Sequence, residues 1–285
     1  MLCGGSVLPD SILDRFYELG GGAGGRLVIV PTASPRSDLA GSDVGAGGPD
    51  FSFWTDYWRR YRWESVEVVH VPASDFQDMD AWVARLERAT AVWMAGGDQN
   101  RLSQRIRGTP VADALRRVLE RGGVVAGTSA GAAICSETMI SGGTRDPEFQ
   151  LGFGWLTGTM IDQHFLAKRR RERLSKAVCL QPGRTGIGID ESTALVLAGS
   201  TAEVLGSGHV HFYAANPGAT TSATAASGAP SGDGPSSDGD ANAQPNNAAE
   251  NKASSKPVGP SRSELPDLIW SGGSRIEIGR LGLFR

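Results

Sequence analysis

Ser129 stands between two glycines in the pentapeptide GTSAG (127–131), directly after the apolar run VVA at 124–126. A strand that turns sharply into a helix at such small residues lifts the central side chain out of the sheet, as a nucleophilic serine requires. The first N–H groups of that helix would stabilise an oxyanion beside the serine, each by about 2.7–4 kcal/mol. A tight turn and a phosphate-binding loop are the two alternative interpretations of the same five residues.

A second glycine-rich turn follows another apolar run, in AVWMAGGDQNRL (91–102). The carboxyl ends of neighbouring parallel strands share one edge of a sheet, and ligands bind at that edge. We therefore expect the N–H groups of Gly97 and Ala130 to approach the oxyanion from two sides. Gln99, just past the turn, is a candidate for binding the backbone or a carboxylate of a substrate.

A nucleophilic serine needs a base, and the chain has four histidines. His70 lies in the strand-like segment VEVVHVP and is interpreted as structural. His209 and His211 share one side of a late strand, but no third metal ligand is evident, so neither a metal nor another cofactor is predicted. His164, in MIDQHFLAKRRRERL, is the leading base by elimination.

An acid must orient that base, and GIGIDESTALV (186–196) places Asp190 and Glu191 at the end of an apolar run. This position suits the acid of a Ser-His-acid triad. It is equally common for a charge on the protein surface, and the residues alone do not choose between the two acids.

The basic run KRRRER (168–173) favours either nucleic-acid binding or recognition of carboxylates. Helical spacing puts Arg169 and Arg173 on one face and Arg170 about a quarter-turn away, close after His164. The formal net charge of −3 gives no electrostatic reason to expect nucleic acid or an anionic membrane as a partner. We therefore expect these arginines to bind carboxylates of an acidic substrate.

Bulk features predict a cytoplasmic protein. Three cysteines lie at neither metal nor disulfide spacing, no apolar stretch is long enough to span a bilayer, and MLCGGSVLPDS lacks the basic and apolar regions of a signal peptide. Only Met1, Leu2 and Cys3 precede Gly4 in the first strand. Either this strand is very short or the true start lies upstream, and we favour the second interpretation.

Apolar runs alternate with helical patterns over three-quarters of the chain, and this alternation predicts a parallel sheet covered by helices. We expect this sheet to position the residues that could do chemistry. We predict strands at 27–30, 66–71, 91–95 and 124–126, and helices at 10–19, 51–61, 78–89 and 110–121. The last helix has Thr109 as a candidate cap, Pro110 at its first position and two glycines after its end.

Residues 217–262 have no aromatic side chains and almost no large aliphatic ones, so their composition predicts a disordered insertion. Strand-like LIWSGGSRIEIG follows. The insertion therefore interrupts a single domain spanning 1–285 rather than ending it. It serves as a spacer or as a tether for a partner, and the composition favours the spacer.

Four motifs, in this order and spacing, resemble the cyanophycinase family, which belongs with the serine peptidases related to aspartyl dipeptidase (peptidase E). They are GGDQNRL, VVAGTSAGAAI, DQHF followed by RRRERL, and GIGIDESTAL. PTAS at 31–34 and VLGSGHVHFY at 204–213 fit as well. The likeness covers nearly the whole chain apart from the insertion and the start.

The resemblance implies a three-layer α/β/α fold with a mostly parallel sheet, like that of class I glutamine amidotransferases, in a homodimer. It implies Ser129 as nucleophile, His164 as general base and Glu191 as the orienting acid, with no cofactor. Family members hydrolyse cyanophycin, a poly-aspartate with arginine on each β-carboxyl, to β-Asp-Arg dipeptides. The side chains implied to line the substrate pocket are Gln99, Gln163, Lys168, Arg170 and Arg173.

Lys168 stands where the family has an arginine, four residues after the histidine in HFxxRxR. Lysine keeps the charge but lacks the planar fork that binds a carboxylate at two points, so recognition of the polymer can differ while the Ser–His–Glu chemistry is unaffected. Two rival functions follow from the same residues: a dipeptidase of the peptidase E type acting on Asp-X peptides, and a non-catalytic binder of acidic peptides.

Overall fold

The computed structural model describes residues 1–42, 50–214 and 268–277. The helices in these ranges are α1 (Asp10–Leu19), α2 (Arg36–Ser42), α3 (Ser52–Thr55), α4 (Met79–Arg88), α5 (Gln99–Ile106), α6 (Pro110–Glu120), α7 (Ala130–Ala133) and α8 (Arg171–Leu180). The strands are β1 (Leu2–Cys3), β2 (Arg26–Val30), β3 (Ser65–Val68), β4 (Ala91–Met94), β5 (Val124–Thr128), β6 (Thr138–Gly142), β7 (Glu148–Leu151), β8 (Thr159–Gln163), β9 (Thr185–Ile189), β10 (Thr193–Ala198), β11 (Thr201–Gly206), β12 (His209–Ala214), β13 (Leu268–Ser271) and β14 (Arg275–Glu277).

The largest sheet has eight strands in the order β14-β11-β10-β1-β5-β4-β2-β3. The five strands from β1 to β3 run parallel, and β10, β11 and β14 extend the sheet by antiparallel pairing. Although β1 has only two residues, it is a central strand that pairs with β5 on one side and β10 on the other. The carboxyl ends of the parallel strands therefore form one edge around β1.

Helices cover both faces of this sheet because its strands are apolar on both sides. In β2, Leu27 and Ile29 pack with α1 and the aromatic segment around Trp58, whereas Val28 and Val30 pack with α4 to α7. Alternate residues of one strand thus belong to two separate cores, as expected for a buried strand. The predicted three-layer α/β/α fold with a mostly parallel sheet is confirmed.

A second sheet has the strand order β13-β12-β9-β8. Strands β8 and β9 are parallel, with Gln163 paired to Ile189 at their carboxyl ends, so the residues that follow the two strands emerge side by side. Helix α8 packs against this sheet through Leu174, Ala177 and Val178. The short pair β6–β7 forms a third, separate sheet.

The predicted elements are present, with three differences of detail. The strand predicted over 66–71 ends at Val68, so His70 lies just after β3 instead of within a strand. The region predicted as one helix over 51–61 is the short helix α3 followed by a single 3-10 turn, in which Trp54 and Trp58 are buried. Thr109 occupies the cap position of α6, but its hydroxyl donates to the Ile106 carbonyl oxygen at 2.7 Å instead of accepting from the helix.

The prediction for residues 217–262 lies outside the described residues. The described chain returns after them, because β13 pairs with β12 and β14 pairs with β11. Within the described ranges, no helix has the length and apolar character needed to cross a membrane.

Candidate active site

Ser129 lies in the sharp turn between β5 and α7, with φ 52° and ψ −108°. A side chain in this left-handed region is strained, and such strain is concentrated at functional sites. The two flanking glycines are required by close approach of the backbone: a Cβ at Gly127 would lie 2.1 Å from the Gly131 carbonyl oxygen, and one at Gly131 would lie 2.5 Å from that of Met94. The glycines let α7 pack directly on β4 and β5 with the serine held at the edge.

His164 follows β8 and reaches the serine across the edge of the sheets. Its Nε2 lies 3.0 Å from Ser129 Oγ, and its Nδ1 lies 2.6 Å from Glu191 Oε1. Because an ionised carboxylate can only accept, the proton belongs on Nδ1, which leaves the Nε2 lone pair to accept from the serine hydroxyl. In this tautomer His164 can take the proton of Ser129. The structure thus brings together the serine, histidine and glutamate named from the sequence.

Asp190 and Glu191, the two candidate acids, face opposite ways. Asp190 is buried and accepts from the N–H groups of Leu166 and His209, at 3.2 and 3.0 Å, while His211 Nε2 lies 3.4 Å away. Burial alone would raise the pKa of Asp190, but the hydrogen bonds from His211, His209 and Leu166 lower it below its usual value. Asp190 therefore holds the loop after His164 against β12. Of the two acids, only Glu191 contacts the imidazole of His164.

The Gly96-Gly97 turn lies beside the serine turn. A Cβ added at Gly96 would be 3.4 Å from Ser129 Cβ. Within the described residues, the N–H groups of Gly97 and Ala130 donate to no other protein atom, whereas the Asp98 N–H donates to the Ala33 carbonyl oxygen at 2.9 Å. Two uncommitted donors on two adjacent turns are the arrangement that an oxyanion hole needs.

Gln99 begins α5 next to these turns, and its side chain is held by β6. Its Nε2 donates to the carbonyl oxygens of Ile140 and Ser141 at 3.1 and 3.3 Å. The amide nitrogen is therefore committed to the protein, and the amide oxygen is the atom left for a ligand.

Three further predicted residues, Gln163, Arg170 and Arg173, surround the buried Asp162, and we call these four residues the Asp162 cluster. Arg173 binds both oxygens of Asp162, at 2.9 Å from Nε and 2.5 Å from Nη2, and donates from Nη1 to the Gly143 carbonyl oxygen at 2.6 Å. Arg170 Nη1 reaches Asp162 Oδ1 at 3.1 Å, the Gln163 carbonyl oxygen at 2.5 Å, and the Gln163 side-chain oxygen. Burial lowers the pKa of Arg170, although Asp162 favours its charged form.

Lys168 and Arg169 differ from these two arginines because their residues are exposed. Neither side chain forms an ion pair with a described residue, although both lie on the loop that follows His164. Arg169 has φ 52°, so this loop is strained like the serine turn. The structure therefore divides the five cations of the basic run into two inward-facing arginines, Arg170 and Arg173, and three exposed residues, Lys168, Arg169 and Arg171.

A second group of charges, which we call the Asp38 cluster, lies on the Gly97 side. Asp38 receives both terminal nitrogens of Arg105, at 2.5 and 3.2 Å, and Nη2 of Arg101 at 2.6 Å. Burial opposes ionisation of Asp38, but the two arginines lower its pKa to about 2. Arg101 Nε also donates to the Thr32 carbonyl oxygen at 3.3 Å, which fixes the PTAS loop whose Ala33 accepts from the Asp98 N–H.

The remaining histidines lie away from the serine. His70 is buried with Nε2 3.1 Å from Asp38 Oδ1, and burial lowers its pKa to about 4. His211 is buried against Phe165, while His209 is partly exposed. Among the described residues, no group of three histidine, cysteine or acidic side chains could hold a metal ion.

Sequence reasoning missed the part played by the last residue of β1 and the two glycines that follow it. The Cys3 carbonyl oxygen accepts from the Ser129 N–H at 2.9 Å, and the Gly4 carbonyl oxygen accepts from the His164 N–H at 2.8 Å. The Gly5 carbonyl oxygen accepts from the Ser192 N–H at 3.0 Å, directly beside Glu191. Gly4 and Gly5, two consecutive glycines at the end of a strand, were the feature of the sequence that could have indicated this close packing.

Comparison with known proteins gives one family and several relatives. Residues 4–205 match the model of peptidase family S51. The chain is 35% identical over 213 residues to cyanophycinases from Synechococcus elongatus and Thermosynechococcus vestitus, covering 72% of this chain and 63% of theirs. It is 33% identical over 220 residues to the cyanophycinase of Geminocystis herdmanii, covering 72% of this chain and 75% of that protein. The chain thus spans just under two thirds of the length of the first two relatives.

Among solved structures, the chain is similar to the crystal structure of a peptidase from an acI-B1 Actinobacterium. The TM-score is 0.57 at 22% sequence identity, covering 76% of this chain and 90% of that one. At this level of identity the likeness concerns the fold alone, and it agrees with the layered architecture described above.

Proposed function

The chain belongs to peptidase family S51, and from this premise we propose that it is a serine-type exopeptidase that hydrolyses cyanophycin to β-Asp-Arg dipeptides. The observation that carries the proposal is the line of contacts from Ser129 Oγ to His164 Nε2 and from His164 Nδ1 to Glu191 Oε1, at 3.0 and 2.6 Å. This is the geometry of a nucleophile, a general base and an acid that orients the base.

In the proposed reaction, Ser129 Oγ attacks the carbonyl carbon of the scissile bond while its proton passes to His164 Nε2. The positive charge that develops on the imidazole is stabilised by Glu191. His164 then gives the proton to the leaving amine, and the first peptide product departs. A water molecule, deprotonated by His164, attacks the acyl-enzyme, and the proton returns to Ser129 as the second product leaves.

The oxyanion formed in each attack is assigned to the N–H groups of Gly97 and Ala130. The assignment is supported by their lack of another acceptor among the described residues and by the packing of the Gly96 position against Ser129. Backbone donors of this kind are fixed before the reaction, so they stabilise developing charge without reorganisation.

The exposed cations on the His164 loop support a substrate that carries carboxylates. In multi-L-arginyl-poly-L-aspartate, each arginine is joined through its amino group and keeps a free α-carboxylate. We assign Lys168 and the uncommitted nitrogens of Arg170 to these carboxylates, and the Gln99 side-chain oxygen to a donor of the substrate. Gln163 supports the pocket through its contact with Arg170, and Arg173 supports it through Asp162.

Replacing Ser129 with alanine tests the mechanism. The variant should lose roughly 10⁴–10⁶-fold in kcat and remain folded, since the change removes one oxygen atom from a partly exposed residue. A matched control is Ser103→Ala in α5, where the hydroxyl only bonds the Leu151 carbonyl oxygen at an exposed position. Near-normal turnover by Ser129→Ala would exclude this mechanism.

The substrate is tested by incubating the protein with cyanophycin granules, with and without EDTA, and detecting β-Asp-Arg by mass spectrometry. Release unaffected by the chelator is the expected result. Faster hydrolysis of Asp-X dipeptides would favour a dipeptidase of the peptidase E type. Binding of the polymer without product, and without labelling of Ser129 by a fluorophosphonate, would favour a non-catalytic binder.

The Lys168→Arg variant sharpens the substrate test. Labelling of Ser129 without polymer hydrolysis would mean that the machinery is intact and the substrate is different. If Lys168→Arg then gains cyanophycin hydrolysis, the lysine accounts for the difference. The labelling rate itself should not change, because Lys168 contacts neither Ser129 nor His164 through its side chain.

A further inference from the structure

The short segment Cys3–Gly4–Gly5 touches the loops of all three triad members. Its three consecutive carbonyl oxygens accept, in order, from the N–H groups of Ser129, His164 and Ser192, at 2.9, 2.8 and 3.0 Å. The Gly4 N–H in turn donates to the Thr193 carbonyl oxygen at 2.9 Å. The turns that carry the serine, histidine and glutamate arise from three different parts of the chain, and this segment is where their backbones are joined.

Gly5 also adjoins the imidazole itself. A Cβ added there would lie 2.3 Å from His164 Cε1, 2.4 Å from Nε2 and 3.0 Å from Nδ1. Real Cβ atoms do not approach other heavy atoms this closely, so either the ring or the backbone would have to move. The ring atoms concerned include both nitrogens that contact Ser129 and Glu191. At φ +105°, Gly5 also has a backbone conformation that side chains rarely adopt.

We propose that Gly5 is a positioning residue of the peptidase: the absence of a side chain at this position is what allows the His164 ring to lie between Ser129 and Glu191. The inference rests on the proposed function, because it assigns a purpose to the position of that ring. In this role Gly5 acts through the position of the His164 ring and not on the substrate itself. Misplacement of a reacting group by about 1 Å can cost about 10²-fold in rate.

The Gly5→Ala variant tests this proposal against a closely matched control, Gly21→Ala. Gly21 has φ +101°, almost the same as Gly5, but a Cβ there would meet nothing closer than the Gly25 Cα at 3.5 Å. Both variants therefore place a side chain at nearly the same positive φ, and only Gly5→Ala collides with the imidazole. We expect kcat to fall about 100-fold or more in Gly5→Ala with KM little changed, and no comparable loss in Gly21→Ala.

A second measurement separates the imidazole collision from a general loss of structure. The ring is absent in a His164→Ala background, so Gly5→Ala should be less destabilising there. We expect the decrease in Tm caused by Gly5→Ala to be smaller in that background than in the wild-type protein, by at least about 4 °C. If Gly5→Ala does not fold by itself but the double variant with His164→Ala does, that result also supports the proposal. Equal Tm losses in both backgrounds, or failure to fold in both, would overturn the proposal.

The two proposals fail in distinguishable ways. The stability cycle involves no turnover, so it reports on Gly5 and His164 even if the chain hydrolyses nothing. Normal activity of Ser129→Ala would overturn the proposed function and leave the cycle unaffected. Equal activity losses in Gly5→Ala and Gly21→Ala, with Ser129→Ala inactive, would overturn only the proposal for Gly5.

Discussion

The Asp162 and Asp38 clusters are built from the same parts but lie on opposite sides of Ser129. In each, one arginine binds both oxygens of an aspartate and a second arginine binds one of them. The difference is solvent access to the aspartate: the Asp162 side chain is 1% exposed and the Asp38 side chain is 37% exposed. One cluster supports the loop that carries His164, and the other supports the PTAS loop against the Gly97 turn.

This difference determines how much each cluster depends on its arginines. A charge that water can reach is partly solvated when its partner is lost, whereas a fully buried charge is left with no compensation. Removing one arginine should therefore cost much of the stability of the Asp162 cluster. In the Asp38 cluster, removing one arginine should cost only the weaker contribution of that ion pair. We therefore expect the His164 loop and the Gly97 turn to be held with unequal strength.

The largest expected effect on the free energy of unfolding comes from the Asp162 cluster. Arg173→Leu leaves Asp162 with only the single bond from Arg170, and we expect a loss of about 3–5 kcal/mol in the free energy of unfolding. Chemical denaturation monitored by tryptophan fluorescence measures this directly. A loss below about 1 kcal/mol would mean that Asp162 takes up a proton or reaches water when the arginine is removed.

The next effect is a pH dependence on the Asp38 side. Burial lowers the pKa of His70 to about 4 in the folded protein, against 6.5 for the free side chain. The unfolded chain therefore binds more protons between these values, so stability is complete above pH 6.5 and falls as the pH drops towards 4. The His70 contribution amounts to roughly 2 kcal/mol by pH 5.

Urea denaturation at pH 7 and pH 5 tests the His70 contribution. In His70→Gln, which keeps a polar group beside Asp38 but does not titrate, the loss between the two pH values should be smaller by that amount. Identical losses in the wild-type protein and the variant would show that His70 does not contribute.

A smaller effect is expected from Arg105→Leu. Asp38 keeps its bond from Arg101 and its contact with water, so the expected loss in the free energy of unfolding is about 1 kcal/mol. Measured beside Arg173→Leu under the same conditions, this variant tests the comparison itself. Equal losses in the two variants would show that solvent access to the aspartate does not set the difference.

The smallest effect is expected from shortening residues 217–262 to a Gly-Ser-Gly linker. Their composition predicts no packed structure, and the closure entropy of a flexible connection alters only slowly with its length. We expect kcat/KM and Tm to be nearly unchanged. A large loss of activity with an unchanged Tm would assign these residues to the substrate or a partner.

The sequence predicted the layered fold well because each strand and helix is marked by local patterns. The alternation of apolar runs with helical periods was sufficient to predict the layers of the fold. The small residues after a strand were sufficient to predict the sharp turn at Ser129. The continuous helix over 51–61 was wrong, because the four-residue spacing of the buried Trp54 and Trp58 fits a short helix followed by a 3-10 turn as well as it fits one unbroken helix.

Side-chain directions within the site could be predicted only in part. The helical face predicted for Arg169 and Arg173 was wrong, because α8 begins at Arg171 and Arg169 lies on the exposed loop before it. Nor could spacing show that a buried Asp162 would bind Arg170 and Arg173. Adjacent acids are equivalent in sequence, so nothing local showed that Asp190 would face β12 and Glu191 the histidine. The contact of Gly5 with His164 joins residues that are far apart in the chain, and no pattern within a short window can show it.

The central position of β1 has a consequence for how the enzyme is made. The two neighbours of β1, β5 and β10, come from distant parts of the chain, and Glu191 lies two residues before β10. Pairings between such distant segments form slowly during folding. We therefore expect Ser129, His164 and Glu191 to come together late in folding, when the centre of the large sheet closes.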